Sequence, residues 1–527
     1  MNRPKQMHLS VVFIVASLVL AVTAIAQQLP ARRIVANIGK PSGPIDRFFN
    51  LSVGSDYHGT LLHPDNQSQL QMVTDELGFR YLRFHAIFHD VLGTVQIENG
   101  KTVYNWTGID RLYDNLLAKH IKPFVELGFT PHALATSNNS IFYWQGNTSH
   151  PNPQGWRSLI DAFVRHIEMR YGKAEVRSWY FEVWNEPNLS GFWEGADQNA
   201  YFALYRLTAT TIKSIDPKLR VGGPATAGAA WVPQFLDYCK KSGAPVDFVS
   251  THTYGVMGGF LDEHGKSDTK LDPSPSAIVG DVRRVRAQIS ASPFPTLPLY
   301  ITEWSTSYTP RDSIHDSYIS APYILTKLKE CEGYAQGMSY WTYTDLFEEP
   351  GPPTRPFQGG FGLVNPEGIR KPAFFAYKYL RGLRGQNVPT TDKQAWLSTA
   401  GGNFSGVIWD FDQPVQTVSN RSFYTKVLPS HPERPVALKV TGLIPNASYR
   451  LQIYRTGYQS NDAYTAYIKM GAPKHLTADQ VAHLNFITRD MPITDKLVKS
   501  GHHGVFTITI LLNSNDILLV KLLRTFK

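Results

Sequence analysis

The chain has 527 residues and a formal net charge of +9, and 42% of its residues are hydrophobic. This length is enough for two or three domains with a large buried core. Lysine and arginine are scattered without long runs, which argues against a nucleic-acid-binding protein.

Residues 1–26 have the composition of a secretory signal peptide. Arg3 and Lys5 precede an almost wholly apolar run over residues 9–25, and Ala24-Ile25-Ala26 supplies a small-x-small cleavage site. The alternative is an uncleaved membrane anchor, because the run is near the length that spans a bilayer. We expect a mature protein that is secreted or periplasmic, with no stable membrane association.

From residue 49 to about 385, β-rich runs alternate with amphipathic helical patterns. The predicted strands are Phe49–Ser55, Tyr81–Ala86, Lys122–Gly128, Ser178–Glu186, Arg220–Pro224, Asp247–Tyr254, Leu299–Trp304 and Met338–Asp345. The predicted helices are Gln67–Leu77, Ile109–His120, Trp156–Tyr171, Asn199–Ile215, Val232–Lys241, Ala277–Ser290, Ala321–Glu330 and Pro372–Leu383. This alternation predicts an α/β fold with a (β/α)8 TIM barrel over residues 49–385. A doubly wound open sheet is the alternative, but no glycine-rich phosphate loop follows an early strand.

The texture changes beyond residue 386. The β-rich runs there are Ala395–Ser398, Phe404–Phe411, Val436–Thr441, Ser448–Arg455, Val505–Leu512 and Ile517–Leu523, and only the stretch around Ala478–Asn485 has a helical pattern. Short runs separated by Gly, Asn and Pro predict a C-terminal β-sandwich over residues 386–527, packed against the barrel. The N-terminal segment 27–48 contains the run Arg33–Ile38, which we expect to add a strand to the sandwich.

The two cysteines, Cys239 and Cys331, lie in segments with helical patterns. Export would permit a disulfide, but these positions favour two buried free thiols. Their spacing suits neither zinc nor an iron–sulfur site.

Two glutamates stand at the ends of predicted strands. Glu186 ends the fourth strand within Trp-Asn-Glu-Pro, and Glu303 ends the seventh within Ile-Thr-Glu-Trp. Active sites of this barrel lie at the C-terminal ends of the strands, so we expect both carboxylates in one cleft. Two such carboxylates are what the hydrolysis of a glycosidic bond requires. The other polar residues expected on this face are His85, His252, Tyr254 and Asp345.

The neighbours of Glu186 fit the same chemistry. The side-chain amide of Asn185 can hydrogen-bond a sugar 2-hydroxyl, a contact that strengthens in the transition state. Pro187 lacks an N–H and disfavours the helical region for the residue before it. We therefore expect an extended backbone at Glu186, which would fix the direction of its side chain.

Several segments together resemble glycoside hydrolase family 39, the family of the β-xylosidases and α-L-iduronidases. The resemblance rests on FEVWNEPNL at 181–189 with Phe192-Trp193, VELGFTP at 125–131, FYWQGN at 142–147, VGGPA at 221–225, PVDFVS at 245–250, SYWTYTDLFEE at 339–349, GGFGLV at 359–364 and MGAP at 470–473. It covers essentially the whole mature chain.

The resemblance implies a retaining mechanism with Glu186 as the general acid/base and Glu303 as the nucleophile, without a metal or cofactor. It also implies a set of substrate-binding residues, in which Glu349 is favoured over Glu348: Asn185, His85, His252, Tyr254, Trp341 and Glu349. The xylosidases of this family often form tetramers, which leaves a homo-oligomer as an open expectation.

The sugar is indicated by the position after the sixth-strand histidine. The iduronidase branch carries a lysine shortly after it, where this sequence has Tyr254. Burying an unpaired sugar carboxylate there would be costly. The resemblance therefore implies an exo-acting β-D-xylosidase that releases xylose from xylo-oligosaccharides. The alternatives are an endo-acting hydrolase, another β-glycosidase or an α-L-arabinosidase acting on a bacterial or plant polysaccharide, and a non-catalytic carbohydrate-binding protein.

Overall fold

The computed structural model describes residues 30–262 and 264–525, so the predicted signal peptide lies outside the described residues. The strands are β1 Arg32–Asn37, β2 Ser52–Tyr57, β3 Tyr81–His85, β4 Val95–Glu98, β5 Lys101–Tyr104, β6 Lys122–Leu127, β7 Ser140–Ile141, β8 Gly146–Asn147, β9 Tyr180–Val183, β10 Arg220–Thr226, β11 Phe248–Tyr254, β12 Leu299–Ser305, β13 Gly337–Tyr340, β14 Gln386–Val388, β15 Ala395–Ala400, β16 Asn403–Trp409, β17 Val436–Thr441, β18 Ser448–Thr456, β19 Thr494–Lys499, β20 Phe506–Ile510 and β21 Ile517–Arg524.

The α-helices are α1 His58–Leu61, α2 Pro64–Leu77, α3 Thr107–Ala118, α4 Pro153–Tyr171, α5 Lys173–Val176, α6 Gln198–Ile215, α7 Val232–Ser242, α8 Val279–Ser290, α9 Ser320–Cys331, α10 Pro372–Gly382, α11 Asn420–Phe423, α12 Ala463–Lys469 and α13 Ala478–Ile487. Across the part of the chain that the structure describes, no helix has both the length and the apolar character needed to cross a bilayer.

Eight parallel strands close a barrel in the order β2-β3-β6-β9-β10-β11-β12-β13, with β13 paired back to β2. The predicted TIM barrel is therefore confirmed. Helix ends follow local signals: Asn152 caps α4 by accepting a hydrogen bond from the Gly155 N–H (2.9 Å), with Pro153 in the first turn. The left-handed Gly78 (φ 72°) ends α2.

The barrel interior is filled at its N-terminal end by an aromatic cluster. Its members come from the starts of the strands: Leu51, Phe124, Tyr180, Phe248 and Tyr300, with Tyr81 packed against them. The rings of Phe124 and Tyr180 stack 4.8 Å apart, and the hydroxyls of Tyr180 and Tyr300 are 3.1 Å apart. This end of the barrel is a packed core, so any cleft must open at the other end.

The C-terminal region is a sandwich of two sheets, as predicted. Three strands (β1-β17-β20) face six (β14-β15-β16-β21-β18-β19), and β1 joins its sheet by pairing parallel to β17. Strands of the larger sheet alternate between two cores. Ile408 and Leu518 face the smaller sheet, whereas Trp409 and Leu519 face the barrel.

The inner strands of the larger sheet are thus buried on both faces and fix the sandwich to the barrel. The Trp409 Nε1–H donates to Thr326 Oγ1 on α9 (2.9 Å), and the Trp396 ring lies 5.9 Å from that of Phe49.

Four elements of this region differ from prediction: the short strand β14, the helices α11 and α12, and the edge strand β19. The helices α11 and α12 precede α13, so the expectation of a single helical stretch is wrong. Asp462 caps α12 by accepting a hydrogen bond from the Thr465 N–H (3.1 Å), and Tyr467 packs on Phe357 (5.0 Å between rings). The edge strand β19 was also not expected, because Thr494–Lys499 is mostly exposed and lacks an apolar alternation.

The two cysteines lie on α7 and α9. Both are buried and free, as predicted. Burial raises the pKa of each thiol to about 12, so neither is a reactive thiolate.

Candidate active site

The direction of Glu303 is set by a β-bulge in β12. The register of β12 against β11 skips Thr302, so one extra residue is inserted there. A bulge interrupts the strict alternation of side chains. As a result Thr302 and Glu303 both face the barrel interior, where Thr302 Oγ1 donates to Glu182 Oε1 (2.8 Å).

The Glu303 carboxylate is held by two donors. Arg83 Nη1 donates to Oε1 (2.7 Å) and the Tyr254 hydroxyl donates to Oε2 (2.7 Å). Each oxygen therefore has a fixed partner, and the carboxylate is positioned without rotational freedom. Charge-assisted bonds of this kind are short and strong.

Arg83 is completely buried and organises the whole site. Besides Glu303 it binds Glu182 through Nε (2.6 Å), Asn185 Oδ1 through Nη2 (2.8 Å) and Glu126 through Nη2 (3.0 Å). Burial lowers the pKa of Arg83, but the three carboxylates outweigh it and raise the pKa above its ordinary value. Since Arg83 occupies Oδ1 of Asn185, the amide N–H groups of that residue remain to donate elsewhere.

Glu186 lies three residues beyond β9 in a different environment. Burial raises the pKa of its carboxyl to about 7. Oε1 lies 2.9 Å from Nδ1 of His252, and burial lowers the pKa of that imidazole to about 4, which keeps it neutral. Glu186 therefore lacks the strong cationic partner that Glu303 has.

The predicted extended backbone at Glu186 is wrong. Its φ is +45°, and its N–H donates to the carbonyl of Ala225 (2.8 Å). Ala225 is itself the extra residue of a bulge in β10, which turns this carbonyl toward the neighbouring loop. The restriction from Pro187 is overcome by this tertiary hydrogen bond.

The two carboxylates meet closely. His252 Nδ1 lies 2.9 Å from Glu186 and 3.5 Å from Glu303, and one oxygen of each glutamate lies within 4.8 Å of the other. Carboxyl groups that must leave room for a water between them stand about 6.5–9.5 Å apart, whereas those of retaining enzymes stand about 5–5.5 Å apart. The geometry corresponds to the closer class.

A second buried chain of charges runs beside this pair. His85 bridges Glu126 (Nδ1 to Oε2, 2.8 Å) and Glu349 (Nε2 to Oε1, 3.1 Å). Burial lowers the pKa of His85, but these carboxylates hold it well above its ordinary value. Burial raises the pKa of Glu349 to about 8. Glu349 lines the cavity, whereas Glu348 contributes a backbone N–H to Asp56 (2.7 Å).

Trp341 forms part of the buried wall behind these charges. Its ring lies 4.7 Å from that of His85 and 5.9 Å from the guanidinium carbon of Arg83. The other side of the indole rests on Gly54, where a Cβ atom would come within 2.2 Å of the ring. A side chain at Gly54 would push Trp341 into the site.

An open cavity of about 720 Å³ lies above the two glutamates. Its walls come from the loops after six consecutive barrel strands, β6 to β13. Glu186, Tyr254 and Glu349 line it directly. Glu303, Asn185, His85, His252 and Trp341 lie buried around its inner end.

Asp345 does not join this group, although it was expected on the same face. Its carboxylate pairs with the buried Lys371 Nζ (3.0 Å) and accepts a bond from the Gly362 N–H (2.6 Å). Glu126 and Glu182 were not expected at the site. Each is a charged residue inside an apolar strand, two positions after an inward-facing aromatic ring, which is a signal that the sequence did contain.

Glu186, His252 and Glu303 offer three atoms close enough to hold a metal ion. These atoms already bond one another or Tyr254, and the guanidinium of Arg83 lies 2.7 Å from Glu303. A second cation at this point would be repelled by Arg83. The arrangement suits two carboxylates acting on a sugar better than a metal centre.

The chain matches the model of the family Glycosyl hydrolases family 39 over residues 33–500. It is 35% identical over 502 residues to a beta-xylosidase of Geobacillus stearothermophilus, covering 92% of this chain and 95% of that relative. The barrel with its paired carboxylates is thus that of an O-glycosyl hydrolase. The chain belongs to glycoside hydrolase family 39, which confirms the resemblance.

Two solved structures are also similar. A GH39 enzyme from Xanthomonas axonopodis pv. citri has a TM-score of 0.93 at 59% identity, over 96% of this chain and 100% of that one. A monomeric beta-xylosidase from Caulobacter crescentus CB15 has a TM-score of 0.92 at 60% identity, over 94% and 99%. The similarity therefore includes the sandwich as well as the barrel.

Proposed function

We propose that this protein is a retaining, exo-acting β-D-xylosidase. Glu303 attacks the anomeric carbon and forms a glycosyl-enzyme ester, while Glu186 gives its proton to the leaving oxygen. Glu186 then takes a proton from water, which attacks the anomeric carbon and releases xylose and the Glu303 carboxylate. The configuration is retained because it is inverted twice.

The observation that carries this proposal is the difference between two adjacent carboxyl groups. Glu303 accepts bonds from Arg83 and Tyr254, whereas Glu186 faces a neutral His252 and has its pKa raised to about 7. Two carboxyl groups in unlike environments can divide the roles of nucleophile and acid.

Xylose is favoured over a uronic acid by the charge around the inner end of the cavity. Tyr254 stands at the position where, by the family resemblance, the iduronidase branch carries a lysine, and its hydroxyl donates to Glu303. Arg83 is already bound to three carboxylates. Neither Arg83 nor Tyr254 is thus free to pair with a sugar carboxylate, and burying one unpaired is costly. The beta-xylosidase relatives support the same sugar.

Exo action is favoured by the cavity walls. Loops after six of the eight strands contribute to them, which suits a pocket for a chain end more than a groove open at both ends. An endo-acting hydrolase, another β-glycosidase and an α-L-arabinosidase remain the alternatives. A non-catalytic binding protein is disfavoured because both glutamates are present and paired.

The assignment of roles is tested with azide. Glu186→Ala should still form the glycosyl-enzyme from aryl xylosides whose leaving group needs no proton, and azide should speed turnover and give a β-xylosyl azide. Glu303→Ala should not give that product. If azide rescues neither variant, the roles are wrong. A panel of aryl β-xyloside, β-glucoside, α-arabinoside and α-iduronide tests the sugar, with the xyloside expected at least about tenfold ahead in kcat/KM.

We also propose that the enzyme acts outside the cytoplasm on xylo-oligosaccharides. Residues 1–26 support export, and N-terminal sequencing of the mature protein would test it. The Caulobacter relative is a monomeric beta-xylosidase. Light scattering would decide between a monomer and the homo-oligomer that the family resemblance leaves open.

A further inference from the structure

The cavity has two unlike halves. Its inner end is surrounded by charged and amide groups, among them Glu186, Glu303, Asn185 and Glu349. Its outer half is lined mainly by apolar and aromatic side chains: Leu189, Phe192, Val256, Tyr308 and Pro310. A sugar ring fits the inner end, and the cavity volume of about 720 Å³ leaves space beyond it.

The leaving group must pass through this outer half. Glu186 protonates the leaving oxygen under the proposed mechanism, so the aglycone lies on its side of the sugar. The Leu189 N–H donates to the Glu186 carbonyl (3.0 Å), and the Phe192 N–H donates to the Leu189 carbonyl (3.0 Å). The turn that carries the acid therefore also forms one wall of the aglycone site.

Another part of the lining is aromatic. Tyr308 lies in the loop after β12, five residues beyond Glu303, and its ring is 6.2 Å from that of Tyr254 in an edge-to-face arrangement. Tyr308 is 53% exposed and Leu189 is 40% exposed. Large side chains left exposed at the mouth of a cavity gain free energy when an apolar ligand covers them.

Few polar side chains in this half are available to a second sugar. Among the described lining residues, Thr253 Oγ1 donates to Asp281 Oδ2 (2.7 Å), and the other oxygen of Asp281 binds Arg284. Apart from the Tyr308 hydroxyl, this half therefore offers a xylose few side-chain hydrogen bonds in exchange for those to water that it would lose, which is costly.

We infer that the outer half of the cavity is a binding site for an aromatic aglycone, so that kcat/KM for β-xylosides of phenolic compounds rises with the apolar area of the aglycone. This inference rests on the proposed function, because it takes Glu186 as the acid and xylose as the inner sugar. The phenol leaves with the proton of Glu186, and its ring contacts Leu189, Phe192 and Tyr308.

The test compares leaving groups of nearly equal acidity and different apolar area. Phenyl and 2-naphthyl β-D-xyloside should differ about fivefold in kcat/KM in favour of 2-naphthyl. Leu189→Asn should lower the naphthyl-to-phenyl ratio about threefold. Leu497→Asn is the control, because Leu497 is 71% exposed on β19 in the sandwich, outside the cavity, and should leave the ratio unchanged.

A binding measurement separates this inference from the proposed function. The fluorescence of 2-naphthol reports its binding without turnover, and Leu189→Asn should weaken that binding about threefold. If no xyloside is hydrolysed but 2-naphthol still binds, the proposed function fails and the aromatic site stands. If xylosides are hydrolysed with a naphthyl-to-phenyl ratio near one and 2-naphthol does not bind, the aromatic site is overturned.

Discussion

The two ends of the barrel interior are built from the same strands and do opposite work. On β6 the inward positions are Phe124 and then Glu126, and on β9 they are Tyr180 and then Glu182. The first position of each pair joins the aromatic cluster, and the second joins the charges around Arg83. A shift of two residues along one strand therefore leads from a packed core position to an active-site position.

The two ends of the barrel interior contribute differently to stability and to function. Burying aromatic rings stabilises a fold directly, whereas a buried ion network contributes little net stability because desolvation offsets the attraction. The buried charges are therefore explained by the catalytic side chains that they hold in place. Substitutions at the aromatic end should lower stability more than activity, and substitutions at the charged end should lower activity more than stability.

The largest effect is expected for Glu303→Ala. Loss of the nucleophile should lower kcat/KM on aryl xylosides by at least about 10⁴-fold. Unfolding in urea should change little, since Arg83 keeps Glu182 and Glu126 as partners. The matched control is Glu348→Ala, whose side chain does not line the cavity. Activity of Glu303→Ala within about a hundredfold of wild type would contradict the assignment.

At the opposite end, Phe124→Ala should destabilise the protein by about 3–5 kcal/mol through the cavity that it leaves. Where the variant is still folded, kcat/KM should stay within about threefold of wild type. Urea unfolding and steady-state kinetics measure the two quantities on the same samples. A loss of activity in the folded variant would mean that the two ends are not separable.

A pH dependence should follow from Glu186, whose pKa is about 7 against an ordinary value of 4.5. Between these values the folded protein holds a proton that the unfolded chain has lost, so its stability falls as pH rises through this window. Glu186→Gln removes that dependence. Between pH 4 and 8 its free energy of unfolding should therefore rise by on the order of 3 kcal/mol relative to that of wild type.

Activity should follow the same titration. In wild type, kcat/KM should fall above about pH 7, because the acid must be protonated. Urea unfolding measured across this pH range gives the free energy of unfolding, and the pH profile of kcat/KM gives the decrease in activity at high pH. Parallel stability curves for the two proteins would show that Glu186 is not the group with the raised pKa.

The smallest effect concerns Glu126→Gln. Glu126 holds the pKa of His85 up, so its loss should let that pKa fall and leave Glu349 without a cationic neighbour. We expect kcat/KM to fall about tenfold. An NMR titration of His85 gives its pKa, which a purely structural role of Glu126 would leave unchanged. An unchanged pKa of His85 in the variant would rule out an effect of Glu126 through His85.

The sequence by itself determined the barrel, the sandwich and the family. The alternation of β-rich runs with helical patterns carries the fold, because strands buried on both faces read as continuous apolar runs and helices as a 3.6-residue period. All eight barrel strands and their helices follow from it. The two glutamates could be found because the C-terminal ends of the strands share one face.

Only the tertiary structure decided how these residues act. The positive φ of Glu186 depends on a carbonyl in the neighbouring strand, and the withdrawal of Asp345 depends on Lys371 from a later helix start. The difference between Glu186 and Glu303 arises because burial raises one pKa while Arg83, 220 residues earlier in the chain, binds the other carboxylate. Burial and Coulomb interactions act through space, so local sequence patterns do not encode them.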